Sequence, residues 1–139
     1  LLNLVVNSAE AAPTDRVIDI EVATSHVEDV EARSACAPGS TCVRHGMVET
    51  PCAALLSVRD TGSGIAKETL EHIFDPFFTT KPEGKGFGLA TVLGIIRGHK
   101  AAIMVDSAQG EGTCIEVMFP CALHGQQDNA CEICDLVDT

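Results

Sequence analysis

Two glycine-bearing segments and a pair of asparagines hold the residue types best suited to chemistry. The first segment, Val58-Arg59-Asp60-Thr61-Gly62-Ser63-Gly64-Ile65, follows the apolar run from Ala53 to Val58, which reads as a buried strand. A carboxylate such as Asp60 at the mouth of an apolar pocket accepts a hydrogen bond from an amine, for instance that of adenine. A base without the amine would leave that carboxylate buried and unpaired. Gly62 and Gly64 allow a sharp turn and a close backbone approach, although Asp-Thr-Gly alone also closes many ordinary turns. The second segment, Gly84-Lys85-Gly86-Phe87-Gly88, starts a helix whose apolar positions Leu89, Val92, Leu93 and Ile96 follow i, i+3, i+4, i+7. Such a start presents free N–H groups and a positive dipole end to an anion, with Lys81 and Lys85 adding charge. A flexible turn is its plainer reading. Asn3 and Asn7 lie i and i+4 on one face of a helix that runs from Leu1 to Ala12 and stops before Pro13. Their amide oxygens suit Mg²⁺ as hard ligands; capping or facing solvent is the alternative.

These segments occur in one order, with Phe74-Asp75-Pro76-Phe77-Phe78-Thr79-Thr80-Lys81 between the two glycine-rich stretches. Order and spacing together resemble the N, G1, F and G2 boxes of the catalytic, ATP-binding domain of sensor histidine kinases, in the GHKL superfamily. The likeness runs from about Leu1 to Pro120, and the form FDPFFTTK with a later GIIRGHK looks most like the large soluble and hybrid kinases. The resemblance implies an α/β, two-layer sandwich of the Bergerat type, its mixed and mostly antiparallel sheet covered on one face by helices. It implies ATP and Mg²⁺ as cofactors, with Asn7 as the metal ligand supported by Asn3. It assigns nucleotide contacts to Asn3, Asn7, Ala11, Asp60, Gly62, Gly64, Ile65, Phe74, Thr79, Thr80, Lys81, Gly84, Lys85, Gly86, Phe87, Gly88, Leu89 and Thr113.

Two departures bear on activity. Related ATP-hydrolysing families usually carry Glu where Asn3 stands, and a carboxamide cannot act as a general base. The chain is therefore expected to hold ATP for transfer rather than to hydrolyse it. The phosphoacceptor histidines of the kinases are followed by an acidic residue, a context that His26, His45, His72, His99 and His124 all lack. No catalytic residue is thus expected within this stretch. The implied partners are a dimerisation and phosphoacceptor domain of the same protein, and a downstream response regulator or receiver domain. An ATPase or protein serine kinase of the superfamily, and a non-enzymatic nucleotide-binding module, remain as rival readings.

Composition narrows the class. A chain of 139 residues with 45% apolar and 21% charged content is one globular domain. Residues 1–120 form the expected catalytic domain and 121–139 an acidic tail or linker; the opening inside an apolar helical pattern suggests a cut end. Net charge of −11 argues against nucleic acid. Residues 1–51 carry −5 and residues 101–139 carry −7, whereas residues 52–100, which hold both glycine-rich segments, carry +1. No apolar run approaches the ~18 residues of a membrane span, so no membrane contact and a cytoplasmic location are expected. Seven cysteines give no even framework, and their dispersion suits reduced thiols. Cys131 and Cys134 have CxxC spacing without a second pair.

The elements that must position these residues follow from periodicity. Val17 to Val22 alternates as a strand, and Thr24 to Thr50, which includes Pro38-Gly39-Ser40, is expected to be a long mobile connection with His26 and His45 on the surface. Lys67 to Ile73 fits a short helix with Leu70 and Ile73 inward. Phe74, Phe77 and Phe78 are expected to cluster, as core or as the anchor of a lid. Ala101 to Ser107 and Gly112 to Phe119 form a hairpin around Gln109-Gly110-Glu111-Gly112. Ala101 replaces a Gly usual in the resembled family and would be strained if its φ were positive.

Overall fold

The computed structural model describes residues 1–11, 17–33, 37–82 and 84–121. In chain order the elements are α1 (Leu2–Ala11), β1 (Ile18–His26), α2 (Val27–Arg33), β2 (Thr41–His45), β3 (Cys52–Asp60), α3 (Lys67–Leu70), α4 (Gly88–Gly98), β4 (Ala102–Ala108) and β5 (Gly112–Pro120). The strands form one five-stranded sheet in the order β1-β3-β5-β4-β2. Every pairing in it is antiparallel. This is the expected α/β sandwich.

Period-two alternation sends each strand's apolar residues to opposite faces. Val58, Ile103, Val105, Ile115 and Val117 point to one face, where Leu4, Leu70, Ile73, Phe74, Val92, Leu93 and Ile96 cover them. This main core joins α1, α3 and α4 to the sheet. Ala53, Leu55, Ala102 and Met118 point the other way and pack with Val27, Val30 and Val48 in a second cluster. The helical layer expected on one face is thus joined by a short helix, α2, on the opposite face.

That second cluster corrects the expectation for Thr24 to Thr50. The stretch completes β1, forms α2 and forms β2, which pairs with β4. Among the side chains described, α2 buries Val27 and Val30, too few apolar positions to reveal a repeat. His26 and His45 are half-buried rather than superficial: His45 meets Phe74 edge-on at 4.9 Å between ring centres, and His26 Nδ1 lies 3.8 Å from Cys52 Sγ.

The three phenylalanines do not cluster. Phe74 enters the core, Phe78 tilts against His72 at 5.7 Å, and Phe77 is 72% exposed and pairs with Phe87 at 5.0 Å. Phe77 adopts a left-handed backbone, with φ 69, and its ring meets Phe87 and solvent rather than the core. Cys42 and Cys52 each take part in a disulfide, contrary to the expected thiols, whereas Cys114 and Cys121 are free. Pairing depends on Cα proximity in the fold, which dispersion along a chain does not reveal. Cys131 and Cys134 lie outside the described residues.

Helix α4 ends where the strain expected for Ala101 could have arisen. The left-handed residue is instead Lys100, with φ 52. Lys100 N–H donates to Arg97 O at 3.2 Å and Ala101 N–H to Ile96 O at 3.0 Å, satisfying carbonyls that the helix end would leave open. Ala101 itself is buried against Ile96 in the main core.

Candidate functional site

Asp60 closes β3, 4% exposed, and its register partner on β5 is Thr113, 7% exposed. Asp60 Oδ1 accepts a hydrogen bond from Gly62 N–H at 2.8 Å, so the carboxylate and the glycine turn orient one another. The turn is tied down on two sides. Ser63 N–H donates to Ala11 O at 3.2 Å, and Gly110 N–H in the β4–β5 hairpin donates to Ser63 O at 2.7 Å. Gly64 has φ 65, and a Cβ there would overlap the Ala108 carbonyl oxygen, so no other residue fits.

Ser107, on β4, is the polar residue that the sequence reading missed. Its hydroxyl lies 2.9 Å from each of Ile65 N, Gly112 O and Thr113 Oγ1. Ser107 has one proton, Ile65 N–H can only donate and the carbonyl can only accept. All three bonds are satisfied when Ser107 donates to Gly112 O and Thr113 donates to Ser107. Thr113 Oγ1 then keeps acceptor capacity beside Asp60. A serine at an inward position of β4, in phase with Ile103 and Val105, was the signal available in the sequence.

The second half of the site joins α1 to α4. Asn3 Nδ2 donates to Gly88 O at 3.2 Å, which fixes the first turn of α4 against α1. Asn7 faces Gly88, whose missing Cβ would stand 3.8 Å from the amide nitrogen. Lys81 Nζ donates to Asn7 Oδ1 at 3.5 Å and forms an ion pair with Glu10. The backbone around Lys81 is itself a turn: Lys81 N–H donates to Thr79 Oγ1 at 3.1 Å and Gly84 N–H to Lys81 O at 3.1 Å. Gly86, φ 68, sits under Phe77 and accepts its N–H at 3.0 Å.

The structure therefore brings Asn3, Asn7, Lys81 and Gly88 together, and separately Ala11, Asp60, Gly62, Gly64, Ile65 and Thr113. Both groups border α1, with Ala11 linking them through Ser63. Leu89 and Ile65 pack against the main core. Phe74 belongs to the core interior, while Thr79, Thr80, Gly84, Lys85 and Phe87 lie exposed in the segment before α4. A pocket of about 270 Å³ lined by Thr41, Ile65, Glu68, Ser107 and Gln109 shares residues with the site but excludes Asp60, Asn7 and Thr113. The chemistry argues for Asp60 and α1 as the centre, because the buried carboxylate and the asparagines lie there.

Among the remaining ionisable groups, burial pushes the Cys114 thiol up from its ordinary value, only partly offset by the neighbouring Arg59 guanidinium. Its Sγ lies 3.6 Å from Arg59 Nη2. Such a thiol is protonated at neutral pH and a poor nucleophile. Among the described residues, no three His, Cys, Asp or Glu side chains gather as a metal cluster, and no helix is long and apolar enough to cross a membrane.

An open antiparallel sheet carries α1, α3 and α4 on one face, with a buried Asp at the end of a central strand. Two asparagines face a glycine-led helix across from it. This arrangement is that of histidine kinase catalytic domains. The mycobacterial sensor histidine kinase MprB superposes with a TM-score of 0.58 at 27% identity, over 86% of this chain and 66% of that one. The catalytic domain of histidine kinase ThkA, in a nucleotide-free form, gives 0.56 at 28% identity, over 86% and 62%. Residues 1–123 match the family described as histidine kinase-, DNA gyrase B-, and HSP90-like ATPase, and the chain belongs to that family. Sensor histidine kinase ZraS of Salmonella typhimurium is 34% identical over 128 residues, which are 92% of this chain and 22% of that protein. Sensor kinase CckA of Brucella abortus is 35% identical over 123 residues, 86% of this chain and 12% of its own. The chain thus spans a minor part of each of these relatives.

Proposed function

We propose that the chain is the ATP·Mg²⁺-binding catalytic domain of a sensor histidine kinase, and that it donates the γ-phosphoryl group to a histidine on a separate dimerisation domain of the same protein. The observation that carries this reading is the buried Asp60, held by Gly62 N–H and flanked by Thr113. A carboxylate so placed recognises an amine-bearing base, since a base without the amine forgoes that donor to a buried acceptor. Phosphates would then lie towards the first turn of α4, whose N–H groups have no partner within the helix.

The donor set fits a hard cation: Asn7 Oδ1 already accepts from a positive group, the Lys81 ammonium. Asn7 would hold Mg²⁺, which neutralises phosphate charge when bound. Asn3 donates its amide to Gly88 and positions α4; it offers no base to activate water. Transfer rather than hydrolysis follows, with catalysis by positioning and charge neutralisation. The histidines within the described residues serve other contacts, as in His72 with Asp75 at 2.8 Å and His99 with Ile95 O at 2.9 Å. In this reading the acceptor is a histidine elsewhere in the protein, with a response regulator or receiver domain downstream of it.

Residues 1–120 constitute the domain in this reading and 121–139 a linker. ATP is supplied in the cytoplasm, where we place the domain. Disulfides at Cys42 and Cys52 are uncommon in that reducing compartment, so thiol counting under native conditions tests the placement.

The test of function is calorimetric titration with ADP, with and without Mg²⁺, on the chain and on Asp60→Asn. Magnesium-dependent binding that weakens by more than ~1.4 kcal/mol, or tenfold, in the variant is expected. Absence of binding by the unmutated chain would sink the reading in favour of a non-enzymatic module. Steady phosphate release from ATP would select an ATPase.

A further inference from the structure

Lys81 was expected to face phosphate, yet its ammonium sits on two oxygens of α1. It contacts Asn7 Oδ1 and the Glu10 carboxylate together. Asn7 and Glu10 are i and i+3, so both project from one side of the helix. Glu10 stands in the last turn of α1, which has no basic residue. The helix dipole there disfavours an anion and favours a cation. A carboxylate in that place needs a positive partner, and the lid supplies it.

Resting on the nucleotide reading above, we propose that Asn7 and Glu10 together form the cation site. Lys81 is the internal cation that fills it until the nucleotide's metal arrives. Glu10 is thereby a positioning residue for the metal, and Lys81 a latch between the lid and α1. The latch suits displacement. Both side chains are about half-exposed (42% and 52%), and exposed ion pairs hold weakly. A divalent ion held by Asn7 and Glu10 would out-compete a single ammonium there on charge and on its preference for oxygen ligands. Displacement has a structural consequence because the Lys81 backbone belongs to the Thr79–Gly84 turn. Releasing the ammonium frees that turn, so metal arrival and lid rearrangement become one event.

The experiment compares the chain with Lys81→Met and Glu10→Gln, both at exposed positions. ADP affinity is measured with no metal and with saturating Mg²⁺, and the ratio gives the metal–nucleotide coupling. Removing the competing ammonium should raise that ratio by at least about fivefold, and neutralising Glu10 should lower it by a similar factor. Without nucleotide, amide exchange across residues 79–84 should quicken in both variants. A ratio unchanged in both overturns the proposal. So does an equal loss of ADP affinity with and without metal in Lys81→Met, which would make Lys81 a plain phosphate contact. If the unmutated chain binds no ADP, the nucleotide reading fails instead, and the exchange data alone decide whether the latch exists.

Discussion

Around Asp60 the polar atoms are buried and paired, mostly by backbone, whereas the segment from Phe77 to Gly88 turns its side chains to water. The Asp60 turn is held by Ala11 of α1, Ser107 of β4 and Gly110 of the β4–β5 hairpin turn. The lid is tied to itself through Phe77 with Gly86 and Thr79 with Lys81, and to α1 through the exposed Lys81 and the Asn3 bond to Gly88. Local stability follows the number of buried contacts, so the two regions should open at very different free energies. The difference is what nucleotide recognition requires. Selection of a base needs unpaired alternatives to be costly, which demands rigidity. Enclosing a triphosphate and releasing a diphosphate demands a segment that moves at little cost.

The sharpest way to break this comparison is to give both regions the same lesion. Gly64 and Gly86 share a left-handed backbone, and in each a Cβ would overlap a neighbouring main chain. Gly64→Ala should cost about 3 kcal/mol of global stability, from backbone strain plus displacement of the hairpin. Ser107→Ala comes next at about 2 kcal/mol, because Ile65 N–H, Gly112 O and Thr113 all lose a buried partner. Denaturant melts report both. Lys100→Gly, at the far end of α4, should stabilise by between about 0.5 and 1 kcal/mol: relief of left-handed strain exceeds the added entropy of the unfolded chain. It should leave ADP affinity unaltered. Gly86→Ala should change global stability least, by under about 1 kcal/mol, while exchange across residues 77–86 quickens. Equal global costs for Gly64→Ala and Gly86→Ala would show that the lid is as integral as the Asp60 turn.

Much of the Asp60 end, and of the helix facing it, was legible beforehand. The strand into Asp60, the closing hairpin with Thr113 and the helix from Gly88 all emerge from short-range patterns, which the main core then satisfies. Ser107 escaped notice because a lone serine in a strand looks like any other until three partners converge on it. The course of residues 24–50 escaped because α2 gains its stability from the far side of the sheet, through Val27 and Val30, and β2 from its pairing with β4 and from Val43 against the main core. Tertiary burial there outweighs weak local preference.

What the sequence determined by itself is the order of the chemical groups and the elements that carry them, because turn glycines and apolar periodicity act over a few residues. Which groups meet was decided only by the tertiary structure. Lys81 lies 74 positions from Asn7, Phe77 turns outward on a positive φ, and Cys42 and Cys52 enter disulfides. The first depends on a distance between segments remote in the chain, which no local pattern encodes, and the others on backbone conformation and proximity that residue type alone does not fix.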